Sequence, residues 1–277
     1  MEFNQVNIEL DKPDDHFSVR PISDIHIGHL GFDQAKFERT INKIAKTKNL
    51  YTIGVGDYID NVQAWANGSV DKRWNPETVE RNRLTTEEQT DYFVKWWSKV
   101  AHKSWGLGSG NHEWKTINQR RFIKDFCNPV DPEDPTKVLY NQKYLGRMAI
   151  INLTVKCRKK TLKDFQILIH HGGFAGMNQG GVVNRLELVT SGFEGIDVSL
   201  MGHTHRTWVA TSMVMGYSKY HNSFYERKII LGNTGTFLKT YAKGVDSYLE
   251  ASPRRPARTG TITITFDAKN GEIFGHD

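Results

Sequence analysis

Cysteine is nearly absent from this 277-residue chain: only Cys127 and Cys157 occur, far apart and without a CxxC. That argues against both a disulfide framework and a thiolate metal site. No stretch approaches the roughly 18 apolar residues of a membrane span. The opening residues, Met1-Glu2-Phe3-Asn4-Gln5-Val6, lack the basic and apolar regions of a signal peptide. The expectation is therefore a soluble cytoplasmic protein. Internal repeats and low-complexity linkers are missing too, so one domain over 1–277 is the simplest organisation.

What is present begins with a usable core: 38% hydrophobic residues, 11% of the chain aromatic, are enough to build one. A net charge of +6 suits a polyanionic partner such as DNA or RNA, and suits an ordinary soluble surface equally well. A local basic loop, Ser252-Pro253-Arg254-Arg255-Pro256-Ala257-Arg258, adds slightly to the first reading.

The chemistry is concentrated in six short segments. They are Asp24-Ile25-His26, Gly56-Asp57-Tyr58-Ile59-Asp60, Gly110-Asn111-His112-Glu113, His170-His171-Gly172, Gly202-His203-Thr204-His205 and Gly232-Asn233-Thr234-Gly235. Carboxylates, imidazoles and one amide form an N/O ligand set that suits Mn, Fe, Zn or Ni. The ligands are too many for one ion, whereas two metals sharing a bridging carboxylate would use them all. Four of the segments follow apolar runs: Val19 to Ser23, Tyr51 to Val55, Phe165 to Ile169 and Asp197 to Met201. Such runs read as buried strands that deliver side chains to one sheet edge, where open α/β sheets bind ligands.

Other elements follow from pattern. Val6 to Leu10 and Phe17 to Ser23 open the sheet, and Phe32 to Lys48 has helical spacing. Thr85-Thr86-Glu87-Glu88 reads as a capping box leading into an aromatic core stripe at Tyr92, Phe93, Trp96 and Trp97. An irregular insertion spans about 61–84, and Cys127 to Lys137 is a loop. Met148 to Val155, Lys228 to Leu231 and Thr261 to Phe266 are further strands.

The ordered motif set resembles the calcineurin-like metallophosphoesterase superfamily, and with its flanking strands the resemblance covers most of the chain. It implies an α/β fold, a four-layer α/β/β/α sandwich with the metal site at the carboxyl ends of the strands. It implies two divalent ions, Mn first, with Fe, Zn, Ni or Mg as alternatives. Asp24, His26 and His205 would hold one ion, with Asp57 bridging. Asn111, one histidine of the His170-His171 pair and His203 would complete the other. His170 ends the apolar run directly and is the expected ligand, although His171-Gly172-Gly173 resembles the His-Gly-Gly of the protein phosphatase branch. His112 would contact the phosphate or protonate the leaving oxygen, with Asp60 orienting it. His29, His171 and Arg206 are candidate substrate contacts.

The motifs depart from the Ser/Thr protein phosphatases. An extra residue precedes Gly28, Asn61 stands where those enzymes carry a phosphate-binding Arg, and Ser109 replaces the Arg before Gly-Asn-His. The Ser-Asp-x-His-(aliphatic)-Gly form is similar to the exonuclease and nucleotide pyrophosphatase branch, and the Asn233 segment resembles stand-alone bacterial and phage enzymes. The function expected is hydrolysis of phosphodiesters, of nucleic acid or nucleotides, by a metal-bridging hydroxide. The alternatives are a small-molecule phosphomonoesterase and an inactive nucleic-acid-binding module on the same fold.

Overall fold

The structure is a computed structural model that describes residues 1–61, 65–66, 69–70, 84–115, 117–173, 179–241 and 256–276. Most of the 61–84 insertion, and residues 252–255 of the basic loop, lie outside the described residues.

Two six-stranded sheets form the molecule's centre. The first contains β1 (Glu2–Leu10), β8 (Met148–Cys157), β9 (Lys160–His170), β10 (Val198–Met201), β12 (Ser223–Thr234) and β11 (Thr207–Ser218), in that spatial order. The second runs β14 (Glu272–His276), β13 (Thr263–Asp267), β2 (Phe17–Ile22), β3 (Leu50–Gly54), β6 (Ser104–Gly108), β7 (Tyr144–Gly146). A two-residue ribbon, β4 (Trp65–Ala66) and β5 (Ser69–Val70), stands apart. Both sheets are mixed: β2, β3, β6 and β7 are parallel, as are β9, β10 and β12, and hairpins supply the antiparallel edges.

Three apolar layers hold the sandwich together. Between the sheets, alternate residues of both interdigitate, among them Val19, Ile53 and Val55 from one and Ile151, Ile167, Ile169 and Leu200 from the other. Period-2 alternation puts these side chains on one face of each strand. Outside the second sheet lie α1 (Gln34–Lys46) and α2 (Thr86–Trp97). Phe37, Ile41, Ile44, Phe93 and Trp97 of these helices pack on Ile22, Tyr58 and Leu107. The short helices α3 (Asn111–Trp114) and α4 (Gln119–Phe122), with a π-turn over Ile123–Cys127, complete that layer. Outside the first sheet α5 (Gln179–Ser191) lays Val182 and Leu186 against Met201, Trp208 and Leu231. The order is therefore α/β/β/α, the four-layer arrangement expected.

Several elements sit where sequence pattern puts them. Thr85 accepts the Glu88 N–H at 3.2 Å while Glu88 accepts the Thr85 N–H at 2.6 Å, the reciprocal capping box. Others extend or add to the expectation. β1 begins at Glu2 rather than Val6, β12 runs well beyond Lys228 to Leu231, and β11, β14 and α5 are additional. Among the described helices, none is long and apolar enough to cross a membrane.

Candidate metal centre

Strand parity aims the ligand-type residues. In β3 the inward series Ile53, Val55 continues to Asp57, and in β9 the series Ile167, Ile169 continues to His171. Beyond the strand ends the chain bends sharply. Asp24, His26, Asp57, His203 and His205 all adopt left-handed backbone conformations, with φ of 48°, 52°, 55°, 69° and 57°. Non-glycine residues reach that region only at a cost of order 1–3 kcal/mol each. Five such residues converging on one place mark it as the functional region. Gly110 is required there, because Asp57 Oδ1 occupies the position its Cβ would take.

Three groups of ligand-type atoms result, and one of them, His26, Asp60 and His112, shares His26 with the first of the other two. Asp24, His26 and His205 form the first, with His26 Nε2 3.1 Å from His205 Nε2 and His205 Nε2 3.2 Å from Asp24 Oδ1. Asp57, His171 and His203 form the second, with His171 Nε2 3.1 Å from Asp57 Oδ2. Asn111 Oδ1 joins it at 3.2 Å from His171 Nε2 and 2.8 Å from His203 Nδ1. Asp24 ties the groups together through the His203 N–H, which lies 3.0 Å from each of its carboxylate oxygens.

The imidazoles are fixed by what their Nδ1 atoms touch. A carbonyl oxygen only accepts, so His171 Nδ1 donates to Val55 O at 2.7 Å and its Nε2 lone pair faces the cluster. His26 Nδ1 sits 3.3 Å from Asp60 Oδ1, which likewise frees His26 Nε2. His112 Nδ1 bonds to the Asp60 carbonyl at 2.5 Å, leaving its Nε2 unclaimed by that bond. The Asp60 carboxylate is 3.6 Å from His112. The relay expected from sequence is thus divided: the backbone of Asp60 orients His112, and its carboxylate serves His26 chiefly.

His170, expected as the ligand, lies outside these groups, half-buried, and its Nδ1 accepts the Gly172 N–H at 3.1 Å. As the last residue of β9 it has the opposite parity to Ile167 and Ile169, so His171 reaches the inter-sheet edge instead. His171, expected as a substrate contact, sits among the ligand atoms. His29 accepts the Gly31 N–H at 2.9 Å through Nδ1, and Arg206 follows His205 at a half-buried position.

Glu113, to which the motif gave no role, is fully buried. Its Oε2 accepts the Asp57 and Gly110 N–H groups at 3.1 and 2.8 Å, and its Oε1 accepts those of Tyr58 and Ile59 at 2.8 and 3.4 Å. It thereby clamps the strained turn carrying Asp57. Asp24 is braced similarly: Ser23 Oγ bonds its carboxylate and meets Thr234 Oγ1 at 2.5 Å, and Thr236 Oγ1 donates to its carbonyl at 2.9 Å. The Asn233 segment therefore buttresses the first group rather than lying apart from it.

The electrostatics call for a cation. Burial raises Asp57, yet the His171 and His112 charges hold it well below the usual carboxylate range. Burial depresses His171, but the Asp57 carboxylate at hydrogen-bond distance outweighs this and lifts it to about 10. Glu113 is pushed up to about 7 by its burial and then by Asp57. The groups bring lone pairs face to face and, left to themselves, draw protons in. The spacing fits an ion as well. Ligand atoms ~2.1 Å from a first-row ion, at angles between 90° and 109°, lie ~3.0–3.4 Å apart, and the contacts within the first and second groups run from 2.8 to 3.2 Å.

A two-sheet α/β/β/α sandwich with such groups at its strand ends is the metallophosphoesterase architecture. The chain belongs to the calcineurin-like phosphoesterase family, whose match spans residues 21–207. This family is metal-dependent, and membership makes the protein a hydrolase of phosphoric esters. Among solved structures it is similar to a conserved uncharacterized protein, a predicted phosphoesterase, from Streptococcus pneumoniae. That likeness is 12% in identity with a TM-score of 0.36, over 95% of this chain and 99% of that one. No curated protein matches the chain significantly.

Proposed function

We propose that the protein is a two-metal-dependent phosphodiesterase acting on nucleic acid or nucleotides. The observation that carries this reading is the pair of neighbouring N/O groups, Asp24/His26/His205 and Asp57/Asn111/His171/His203, with His112 held beside them. Asp24, His26 and His205 would hold one ion, and Asp57, Asn111, His171 and His203 would supply the ligands of the other. Bound there, divalent ions supply charge neutralisation for the phosphoryl oxygens and activate water for in-line attack.

The chain's own groups do the rest. The Asp60 carboxylate and the Val55 carbonyl keep His26 and His171 in the tautomer whose Nε2 faces inward. Glu113 holds the Asp57 turn against its backbone strain. His112, its Nδ1–H committed to the Asp60 carbonyl, would act as the imidazolium, giving its Nε2 proton to the leaving oxygen and remaining as the neutral Nδ1–H tautomer.

A diester is favoured over a monoester by charge. Asn61 stands where the protein phosphatases carry arginine, and its side chain is engaged: Nδ2 donates to the His112 carbonyl at 3.0 Å and Oδ1 accepts from Thr86 at 2.9 Å. A monoester dianion gains more from such an arginine than a singly charged diester does. The net charge of +6 also suits a polyanionic substrate. The test is turnover of bis-p-nitrophenyl phosphate beside p-nitrophenyl phosphate, after metal stripping and reloading with Mn²⁺. Mn-dependent cleavage favouring the diester is expected. Preference for the monoester would reassign the substrate class.

A further inference from the structure

A cavity of about 260 Å³ opens between α1, the segment before β13 and the start of β11. Its walls carry Arg20, Lys36, Arg39, Lys43 and Arg258, with threonine hydroxyls between them and, among the described residues, no carboxylate. The placement follows from elementary periodicities. Arg20 alternates with Val19, whose face enters the inter-sheet core, and so emerges on the α1 side of β2. Lys36, Arg39 and Lys43, at i, i+3 and i+7, form one stripe along α1. Like charges four apart on a helix are unfavourable, so this stripe is not explained by helix stability.

Among the described residues these cations also have no ion pair, whereas several others of the chain do. Lys48 pairs with Asp11, Arg121 with Glu87 and Asp125, Lys137 with Asp131 and Lys269 with Asp14. None of the five cavity cations has an ion pair with a described carboxylate. Asp33, at the N-terminus of α1, is taken up by the Lys36 N–H at 3.2 Å and by the Thr259 hydroxyl at 2.9 Å. Arg20 is half-buried, its Nε donating to Thr263 Oγ1 at 3.0 Å, and burial lowers its pKa with no anion to offset it. A concave site with five positive groups and no described counter-charge focuses a positive potential that attracts anions.

We propose that this cavity binds an oligophosphate, two or more linked phosphoryl groups, either free or as the tail of a nucleotide. One phosphate group carries at most two charges at neutral pH, too few to balance five cations. A volume just under the ~300–1,000 Å³ of pockets for drug-sized ligands suits a compact anion. The arginines supply planar forks for bidentate phosphate contacts, and the lysines supply point charges. The site is separate from the metal-ligand groups but adjoins them. The Gly260 N–H of its wall donates to the Thr236 carbonyl at 2.7 Å, and Thr236 Oγ1 holds the Asp24 carbonyl.

The experiment is isothermal titration of the full-length protein, stripped of metal and dialysed free of chelator, so that it does not depend on the metal reading. The probes are orthophosphate, pyrophosphate, tripolyphosphate and ATP. The expected result is one site per chain, with pyrophosphate and tripolyphosphate bound at least about tenfold more tightly than orthophosphate. ATP bound as tightly as tripolyphosphate assigns a nucleotide tail, and weaker ATP assigns the free anion; either upholds the site. The variant Arg39→Gln/Lys43→Gln/Arg258→Gln changes exposed positions only and should lose binding by at least about tenfold. No binding, or undiminished binding in that variant, would overturn the proposal. So would displacement of pyrophosphate by a single-stranded oligonucleotide without terminal phosphate, since the cavity would then be part of a strand track.

Discussion

Glu113→Gln is the perturbation that separates a positioning role from simple filling of space. Each carboxyl oxygen of Glu113 accepts two backbone N–H groups, so the amide leaves two of four buried donors facing an NH₂. An orphaned buried donor costs about 1–3 kcal/mol, and one of these bonds is already long at 3.4 Å. The expected loss is therefore ~2–4 kcal/mol, against a total stability of order 5–15 kcal/mol, so the variant still folds. The assay is urea denaturation of metal-free protein at pH 8, above the value of about 7 to which burial and Asp57 raise Glu113. At that pH the wild-type group is a carboxylate with acceptors only. Because Asp57 rides on the same turn, Mn²⁺ affinity should fall by ~10–100-fold, the range typical of lost support behind a metal ligand. A stability change within ~0.5 kcal/mol together with unchanged metal affinity would refute the clamp.

Further outcomes follow from the same geometry. His112→Ala should keep both metals and lose turnover by ~10²–10⁴; loss of metal instead would move His112 among the ligands. His171→Ala should lose metal while His170→Ala keeps it, and the reverse result would restore His170 as the ligand. In metal-free protein His171 sits at about 10 when folded and near 6.5 when unfolded, a raised value. Its stabilisation is then complete below pH 6.5 and lost as pH rises through about 10. At pH 7 metal must displace that proton, so Mn²⁺ affinity should climb with pH and binding should release close to one proton. Titration calorimetry in buffers of different ionisation enthalpy measures this, and pH-independent binding would contradict it.

The parts of the fold written in strict alternation are legible in the sequence. Ile53-x-Val55-x-Asp57 announces both a strand and the residue at its end, and the Thr85–Glu88 capping box announces α2. The same parity rule, applied through Ile167 and Ile169, selects His171. The end of the apolar run, taken without regard to the face it presents, selects His170 instead, which lies outside the ligand groups. Among the described residues β11 and the outer part of β12 pair only with each other, and Met213, Met215, Tyr217 and Phe224 are exposed, so burial imposes no pattern on that hairpin. α5 buries only Val182, Leu186 and Thr190, too thin a stripe to distinguish from loop. Glu113 was invisible as a clamp because its partners are backbone N–H groups, which carry no sequence signature. Its setting in the Gly-Asn-His-Glu segment was the one available sign.

Metal stoichiometry tests the central claim most directly. Protein stripped of metal, reloaded with Mn²⁺ and freed of excess should contain two ions per chain by elemental analysis, with Asp57→Ala losing both metal and activity. One ion or none in the wild-type protein would contradict the account.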